Sequence, residues 1–250
     1  MKKTIDFDLV SDLYDKYVNV DFDIPFYRKF CQGYKNILEL MCGTGRVSLP
    51  LIVEGFNLTC VDYSQGMLDI FRSKLPNDCR VKILCQDVCE LKLDETFDLV
   101  MIPFNSFTEI TDKKKRQKAV KCIYEHLKTG GVFLCTLYNP EYRIKIADGN
   151  MKCLGKYKIE DNKTLIVNYI FNYTAIDSLF YGTQYYEIYG ADNKCIEKRF
   201  MDIQCTLISK SEIVEMCAAV GLTLKEIYGD YSFSTFKADS MFMNCVFVKQ

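Results

Sequence analysis

The sequence predicts an α/β fold: a doubly wound, mostly parallel seven-stranded sheet with a closing antiparallel hairpin, plus an inserted small antiparallel sheet. Three observations carry this reading. Short apolar runs alternate with helix-like segments as far as residue 138, which implies parallel strands covered on both faces. A glycine turn, Gly43-Thr44-Gly45, separates the first run from the first helix behind it. Between 150 and 206, aromatic and β-branched runs follow one another across polar turns, the pattern of an antiparallel meander.

The elements follow in order. Residues 1–35 form an amino-terminal helical arm: Leu9–Tyr17 carries apolar and aromatic residues at helical spacing, and Asp23-Ile-Pro-Phe-Tyr27 starts a second helix. Strands are expected at 36–41, 57–62, 81–86, 97–102 and 132–138, and helices at 45–54, 65–74 and 112–127. The first strand is apolar apart from Asn36 and Glu39, as in a strand buried on both faces. Gly43 and Gly45 let the backbone turn sharply and approach a ligand closely. Ser211–Val220 reads as a helix with Ser211 as cap and Gly221 as stop. Strands at 222–228 and 242–249 close the sheet. Residues 1–250 are read as one domain, with 150–206 as its insertion.

Strand, glycine turn, helix and a second strand ending in Asp62 make half of a nucleotide-binding unit, with an acid placed for a ribose diol. The adenosine ligand could be a dinucleotide or S-adenosylmethionine. Three residues favour the second. Ser48 stands where a dinucleotide site wants its third glycine. Glu39 would repel a pyrophosphate but suits a sulfonium and an ammonium. Asp87, after the third strand, is placed for a second polar contact to adenine.

Here the chain resembles the class I S-adenosylmethionine-dependent methyltransferases of small-molecule, N-methyltransferase-like type, with a Rossmann-like fold. Glu39-Leu-Met-Cys-Gly-Thr-Gly45 is similar to their glycine-rich motif, which cradles the methionine part of the cofactor. Val61-Asp-Tyr-Ser-Gln-Gly-Met-Leu68 resembles their second motif, where Asp62 would hold both ribose hydroxyls and Met67 would pack on adenine. Gln86-Asp-Val88 resembles the third, with Asp87 facing the adenine amino group and the Val88 amide a ring nitrogen. Phe97–Ser106 resembles the fourth strand and the loop that flanks the methyl donor. The resemblance thus implies cofactor contacts from Glu39, Cys42, Gly43, Gly45, Asp62, Tyr63, Met67, Asp87, Val88, Pro103, Phe104 and Asn105. Tyr14 and Tyr17 join them as the tyrosine-bearing arm that folds over the cofactor in such enzymes; the competing account is that these rings simply pack the helix. The family often has glycine where this chain has Met41, and a negative φ is expected at that residue.

Lys and Arg number 32 against 33 Asp and Glu, so no strong field gathers nucleic acid or acidic lipid. Asp112-Lys-Lys-Lys-Arg-Gln-Lys118 is expected to be the solvated face of a helix. The basic start lacks an apolar run behind it, and nothing reaches membrane-spanning length, so a cytoplasmic protein is expected. The 13 cysteines are scattered through apparent strands and helices, as at Cys60, Cys85, Cys122, Cys135 and Cys217, and read as reduced thiols in packing roles. No metal site is expected, since Cys85 and Cys89 lack companion ligands.

Methyl transfer expels a neutral sulfide and needs no acid for its leaving group, so positioning in a dry cleft carries much of the rate. The one histidine, His126, sits late in a helix, away from the expected site. No catalytic residue stands out; a base, if used, is a carboxylate or tyrosine of a wall. An amine is slightly favoured as acceptor, because it can lose its proton before attack. Ile102-Pro103-Phe104-Asn105 departs from the Asn/Asp-Pro-Pro-aromatic stretch of base-methylating enzymes, which disfavours a flipped base and leaves a small molecule as partner. The insertion holds seven tyrosines between Tyr157 and Tyr189 and is expected to overhang the cleft beside Asn105 and Tyr138 as a substrate lid. Alternation sets Tyr181, Tyr185 and Tyr189 on one side of its third strand and Tyr186 on the other. A packing surface or homodimer interface is its other reading. The competing functions are a nicotinamide-dependent oxidoreductase and a non-catalytic S-adenosylmethionine-binding module.

Overall fold

The computed structural model describes residues 5–77, 79 and 81–250, so residues 1–4 of the predicted arm lie outside the described residues, as do Asp78 and Arg80. Strands β1 (Ile37–Leu40), β2 (Leu58–Asp62), β3 (Lys82–Cys85), β4 (Phe97–Ile102) and β5 (Leu127–Tyr138) run parallel. Later come β10 (Leu222–Tyr228) and β11 (Phe242–Lys249), which close the sheet antiparallel, in the order β10-β11-β5-β4-β1-β2-β3. The order reverses between β1 and β4, and the crevice at that switch point is where such sheets bind ligands. β5 starts five residues before its expected position, because Leu127 pairs with Phe97 before a bulge; Gly130, at φ 76°, lets the chain turn out and return at Val132.

Alternating side chains load both faces of this sheet. Leu38, Leu40, Val100 and Ile102 pack under α5 (Lys113–His126) and α7 (Lys210–Ala218). Ile37, Cys60, Leu99 and Met101 pack on the other face, under α2 (Ile24–Phe30), α3 (Ser48–Val53) and α4 (Gln65–Ser73). Cys60 is buried on this face, and Cys135 and Cys217 on the first, as small apolar groups, whereas Cys85 is exposed on the edge strand β3. Two helix starts differ from expectation. α3 begins at Ser48, because Gly45–Val47 spend their length in turns. α7 is capped by Ser209, whose Oγ accepts the Glu212 amide at 3.2 Å, so Ser211 lies inside the first turn. Ser209-x-x-Glu212 is itself a capping-box pattern.

The basic segment is not wholly a solvated face. Arg116 is buried, donating to the Ile110 and Thr111 carbonyls and pairing with Glu212 at 2.9 Å. α5 and α7 are thereby joined to the loop after β4. Among the described residues, no helix is long and apolar enough to cross a membrane.

The insertion is a four-stranded antiparallel sheet in meander order: β6 (Met151–Lys158), β7 (Thr164–Thr174), β8 (Leu179–Tyr189) and β9 (Cys195–Thr206). One face packs Leu165, Val167, Tyr186, Ile188 and Met201 against Ile5, Val10, Leu13 and Tyr17 of the arm. Helix α1 (Ser11–Tyr17) therefore lies between the inserted sheet and α4.

Candidate active site

β1 delivers the chain to its turn through Met41, which stands at φ 58°. The expected negative φ is overturned: the strand must leave the sheet here, and the left-handed conformation that makes this turn is held by a residue with a Cβ. Gly43 follows at φ 55° and Gly45 at φ 78°. At Gly45 a Cβ would fall 2.3 Å from the Phe71 ring, so glycine lets the turn settle onto α4.

Asp62, at the end of β2, organises this turn. Its Oδ2 accepts the Gly43 amide at 2.8 Å and its Oδ1 the Ser64 amide at 2.8 Å. Burial raises its pKa, and these amides oppose that rise by holding the charged form. Each oxygen keeps a lone pair for a further donor.

Glu39 is buried on the helix side of β1, where its Oε2 accepts Ser48 Oγ at 2.7 Å. Burial pushes its carboxyl up to about 8, with the Ser48 bond opposing. Ser48 thus fills the place of a third glycine with a hydroxyl tied to this acid.

The arm is fastened over the turn by polar contacts that motif reading missed. Asp15 accepts Thr44 Oγ1 at 2.5 Å and pairs with Lys74 at 2.6 Å. The Tyr63 hydroxyl donates to the Ile5 carbonyl at 2.5 Å. Arg46 grips Asp23 with both terminal nitrogens, at 2.6 and 2.7 Å, donates to the Val20 carbonyl at 2.8 Å, and stacks its guanidinium 4.3 Å from the Phe104 ring. Asp23 is fully buried, so this bidentate pair is what makes its charge tolerable there.

The loop after β4 forms the opposite wall. Phe104 and Asn105 take consecutive left-handed conformations, at φ 55° and 67°. Among the described residues the buried Asn105 Oδ1 has no hydrogen-bond partner. A short 3-10 helix, Ser106–Glu109, carries the wall on to Glu109. Glu109 faces the cavity and makes no hydrogen bond or ion pair among the described residues. Burial, and secondarily the charge of Asp62, pushes its carboxyl up to about 8.

These walls enclose a cavity of about 380 Å3. Tyr14, Tyr17, Gly43, Asp62, Tyr63, Met67, Phe104 and Asn105 line it, as does Met41. Six of the expected contacts do not. Glu39, Cys42 and Pro103 are buried behind the turn and loop, and Gly45 is taken up by Phe71. Asp87 and Val88 lie past the neighbouring end of β3, where Asp87 Oδ1 accepts the Cys89 amide at 2.8 Å. Tyr138 and Arg143 stand at the far side, the latter at the end of α6 (Pro140–Arg143) with its guanidinium 4.2 Å from the Tyr138 ring and 4.4 Å from Phe180.

The inserted sheet covers the same cavity with Leu154, Tyr169, Phe171, Gln184, Met201, Ile203 and Cys205. Its register decides which β8 residues look inward. Phe180, Tyr186 and Ile188 are buried, and Tyr181 on the other face is 39% exposed. Tyr181, Tyr185 and Tyr189 therefore face away from the cleft. Tyr186 is engaged by Tyr17 and Gln184, so no β8 tyrosine lines the cavity. His126 is far from this chemistry: its Nε2 accepts the Leu93 amide at 3.0 Å, leaving Nδ1 to donate to the Cys122 carbonyl at 2.7 Å.

The arrangement fits an adenosine ligand with a cationic tail. It offers a carboxylate with spare acceptor capacity, a turn whose Gly43 leaves open space, and an orphaned buried carbonyl at Asn105. Comparison with known proteins agrees with that geometry. Residues 37–131 match the family described as methyltransferase domain. A demethylmenaquinone methyltransferase of Leptospira interrogans is 35% identical over 109 residues, 41% of this chain and 42% of that protein. The chain spans less than half the length of the curated relatives it matches first. Among solved structures, the CcbJ methyltransferase from Streptomyces caelestis superimposes with a TM-score of 0.81 at 22% identity, over 100% of both chains. The sugar N-methyltransferase KedS8 from Streptoalloteichus sp. ATCC 53650 gives 0.77 at 20% identity, over 96% of this chain and 93% of that one.

Proposed function

We propose, from the match of residues 37–131 to a methyltransferase domain, that the chain is an S-adenosylmethionine-dependent methyltransferase acting on a small acceptor, with an amine slightly favoured as its nucleophile. The observation that carries this is the meeting of Gly43, Asp62 and Asn105 in one cavity at the switch point of the sheet.

S-adenosylmethionine supplies an electrophilic methyl group. Asp62 accepts both ribose hydroxyls, using the lone pairs that Gly43 and Ser64 leave free. Tyr63 and Met67 flank adenine, and Asp87 and Val88, one strand further on, take its polar edge. Asn105 Oδ1 accepts from the methionine ammonium, beside the open Gly43 turn. Glu39 acts from behind, steadying the turn through Ser48. The arm, with Tyr14 and Tyr17, shuts water from the reacting centre, where preorganised groups act most strongly.

The inserted sheet serves as the acceptor's lid. The sugar N-methyltransferase among the structural neighbours supports an amine acceptor, as does a cavity wall without histidine. A nicotinamide cofactor is disfavoured, since Ser48, tied to Glu39, stands where a dinucleotide site wants its third glycine for close packing of helix on strand.

Thermal unfolding tests the reading. S-adenosylmethionine and S-adenosylhomocysteine should raise the melting temperature, with about 2.7 kcal/mol of stabilisation at a hundred times Kd; NAD and NADP should not. Release of S-adenosylhomocysteine with amines, hydroxy acids and sugars then separates an enzyme from a binding module. A shift with NAD alone would end the proposal.

A further inference from the structure

The loop after β4 sets a carboxyl group in the cavity that the cofactor assignments leave unused. Glu109 ends the Ser106–Glu109 turn, beyond Asn105 and on the side of the inserted sheet. The Thr206 hydroxyl of β9 donates to the Thr111 carbonyl at 3.4 Å, so this stretch of loop lies directly against β9. The titratable groups around Glu109 are Asp62 at the end of β2 and Tyr63 just after it, Tyr14 from α1, and Cys205 from β9. The guanidinium of Arg143, from α6, also acts on Cys205 and marks the far end of the same space. No cation pairs with Glu109 among the described residues; Arg46, which like Glu109 acts on Tyr14, is committed to Asp23.

A carboxyl group left without a donor in a mostly apolar cavity is costly unless a ligand supplies one. Resting on the proposed methyl-transfer reading, the geometry points to Glu109 as the residue that receives the acceptor, and to an acceptor that arrives as a primary or secondary ammonium ion. Its placement follows from the two ends of the cavity. Asp62, Gly43 and Asn105 serve the donor side, whereas Glu109 stands between that side and Cys205 in the sheet above it. The rings of Tyr14, Tyr138 and Phe171 along the same walls suit an ammonium on an apolar body.

The ammonium binds the Glu109 carboxylate and passes it one N–H proton, whose bonding pair becomes the nitrogen lone pair. That lone pair forms the new N–C bond to the methyl carbon, while the C–S pair withdraws onto sulfur to give the neutral sulfide. The product leaves as a methylated ammonium, and the proton on Glu109 passes to water. Burial supports the role, since a carboxyl pushed up to about 8 is a stronger proton acceptor than an ordinary one.

The test uses 2-phenylethylamine and its neutral counterpart 2-phenylethanol as probes on the S-adenosylhomocysteine-loaded protein, by calorimetry at pH 7 in buffers of different ionisation enthalpy. The amine should bind at least about tenfold more tightly than the alcohol, the scale of a charge-assisted hydrogen bond. Its binding should release a proton, because a Glu109 that is mostly protonated at pH 7 ionises on meeting the cation. Glu109→Gln should abolish both the preference and the proton release, with S-adenosylhomocysteine affinity unchanged, and Glu109→Asp should restore part of each. Failure of the wild type to bind S-adenosylhomocysteine would overturn the methyltransferase reading and this inference with it. Normal binding without an amine preference, or a preference surviving in Glu109→Gln, would overturn this inference alone. A tenfold loss of S-adenosylhomocysteine affinity in Glu109→Gln would move Glu109 to the cofactor side and likewise refute the assignment. The wild-type preference and proton release decide the matter even if a variant does not fold.

Discussion

The hydroxyls of Tyr17 and Tyr186 meet at 3.0 Å, joining the amino-terminal arm to the inserted sheet across 169 residues of sequence. Their rings pack edge to face at 5.5 Å, and Tyr186 donates onward to Gln184 Oε1 at 2.7 Å. Both rings are buried, and burial raises both phenol pKa values, so the pair stays neutral at physiological pH. The arm and insertion thus share one apolar layer above the cavity, and a change in either is felt by the other.

Tyr186→Phe should loosen the arm without unfolding the parallel sheet, at a cost of about 2 kcal/mol for the two lost hydrogen bonds, to Tyr17 and Gln184. Hydrogen exchange should quicken at residues 5–18 and in β8, with β1 and β4 unchanged. Uniform quickening across the molecule would mean the pair supports the whole fold.

Asp62→Ala should weaken S-adenosylhomocysteine binding at least about tenfold, since charge-assisted bonds are worth roughly 1.5–3 kcal/mol each. It should also lower the melting temperature, because Gly43 and Ser64 lose their acceptor. Asp62→Asn, which retains one acceptor oxygen, should recover more stability than affinity. Calorimetry finding unchanged affinity in folded Asp62→Ala would reduce Asp62 to a turn residue.

At Met41 the usual order of substitutions should invert. Alanine and glycine both remove the side chain, but only glycine is at ease at φ 58°. Met41→Gly should therefore be more stable than Met41→Ala by about 1–2 kcal/mol, read from denaturant midpoints. The reverse order would show that the left-handed conformation is not held in solution.

Glu39 makes stability depend on pH. Folding raises its carboxyl from an ordinary value of 4.5 to about 8, so the folded state holds the proton more tightly than the unfolded chain. The resulting stabilisation is full below 4.5 and is lost as pH rises through about 8, on the order of a few kcal/mol. The ligand-free protein should melt lower at pH 9 than at pH 6, and Glu39→Gln should flatten that slope. An unchanged slope in the variant would assign the effect to other groups, Glu109 first among them.

The parallel sheet and its nucleotide half-site were legible in the sequence because their causes are local. Apolar runs of strand length, glycines at a turn and an acid at a strand end act within about thirty residues of one another, as from Ile37 to Asp62. The insertion's meander was legible for the same reason: its hairpins pair neighbours. What lay beyond the sequence was set by contacts between distant segments. Which face of β8 looks inward depends on where the arm packs, so Tyr186 was drawn inside with Tyr17 and the other three tyrosines were turned away. Met41 takes a left-handed φ because the strand must leave the sheet where Asp62 holds Gly43. Glu109 is an ordinary acid in a loop until the inserted sheet covers it, and Arg116 is one of a basic run until Glu212 approaches from residues far along the chain. Sequence by itself determined the elements and the motif that ends in Asp62. Tertiary structure alone decided which side chains were desolvated and paired, because burial and charge are properties of neighbours in space.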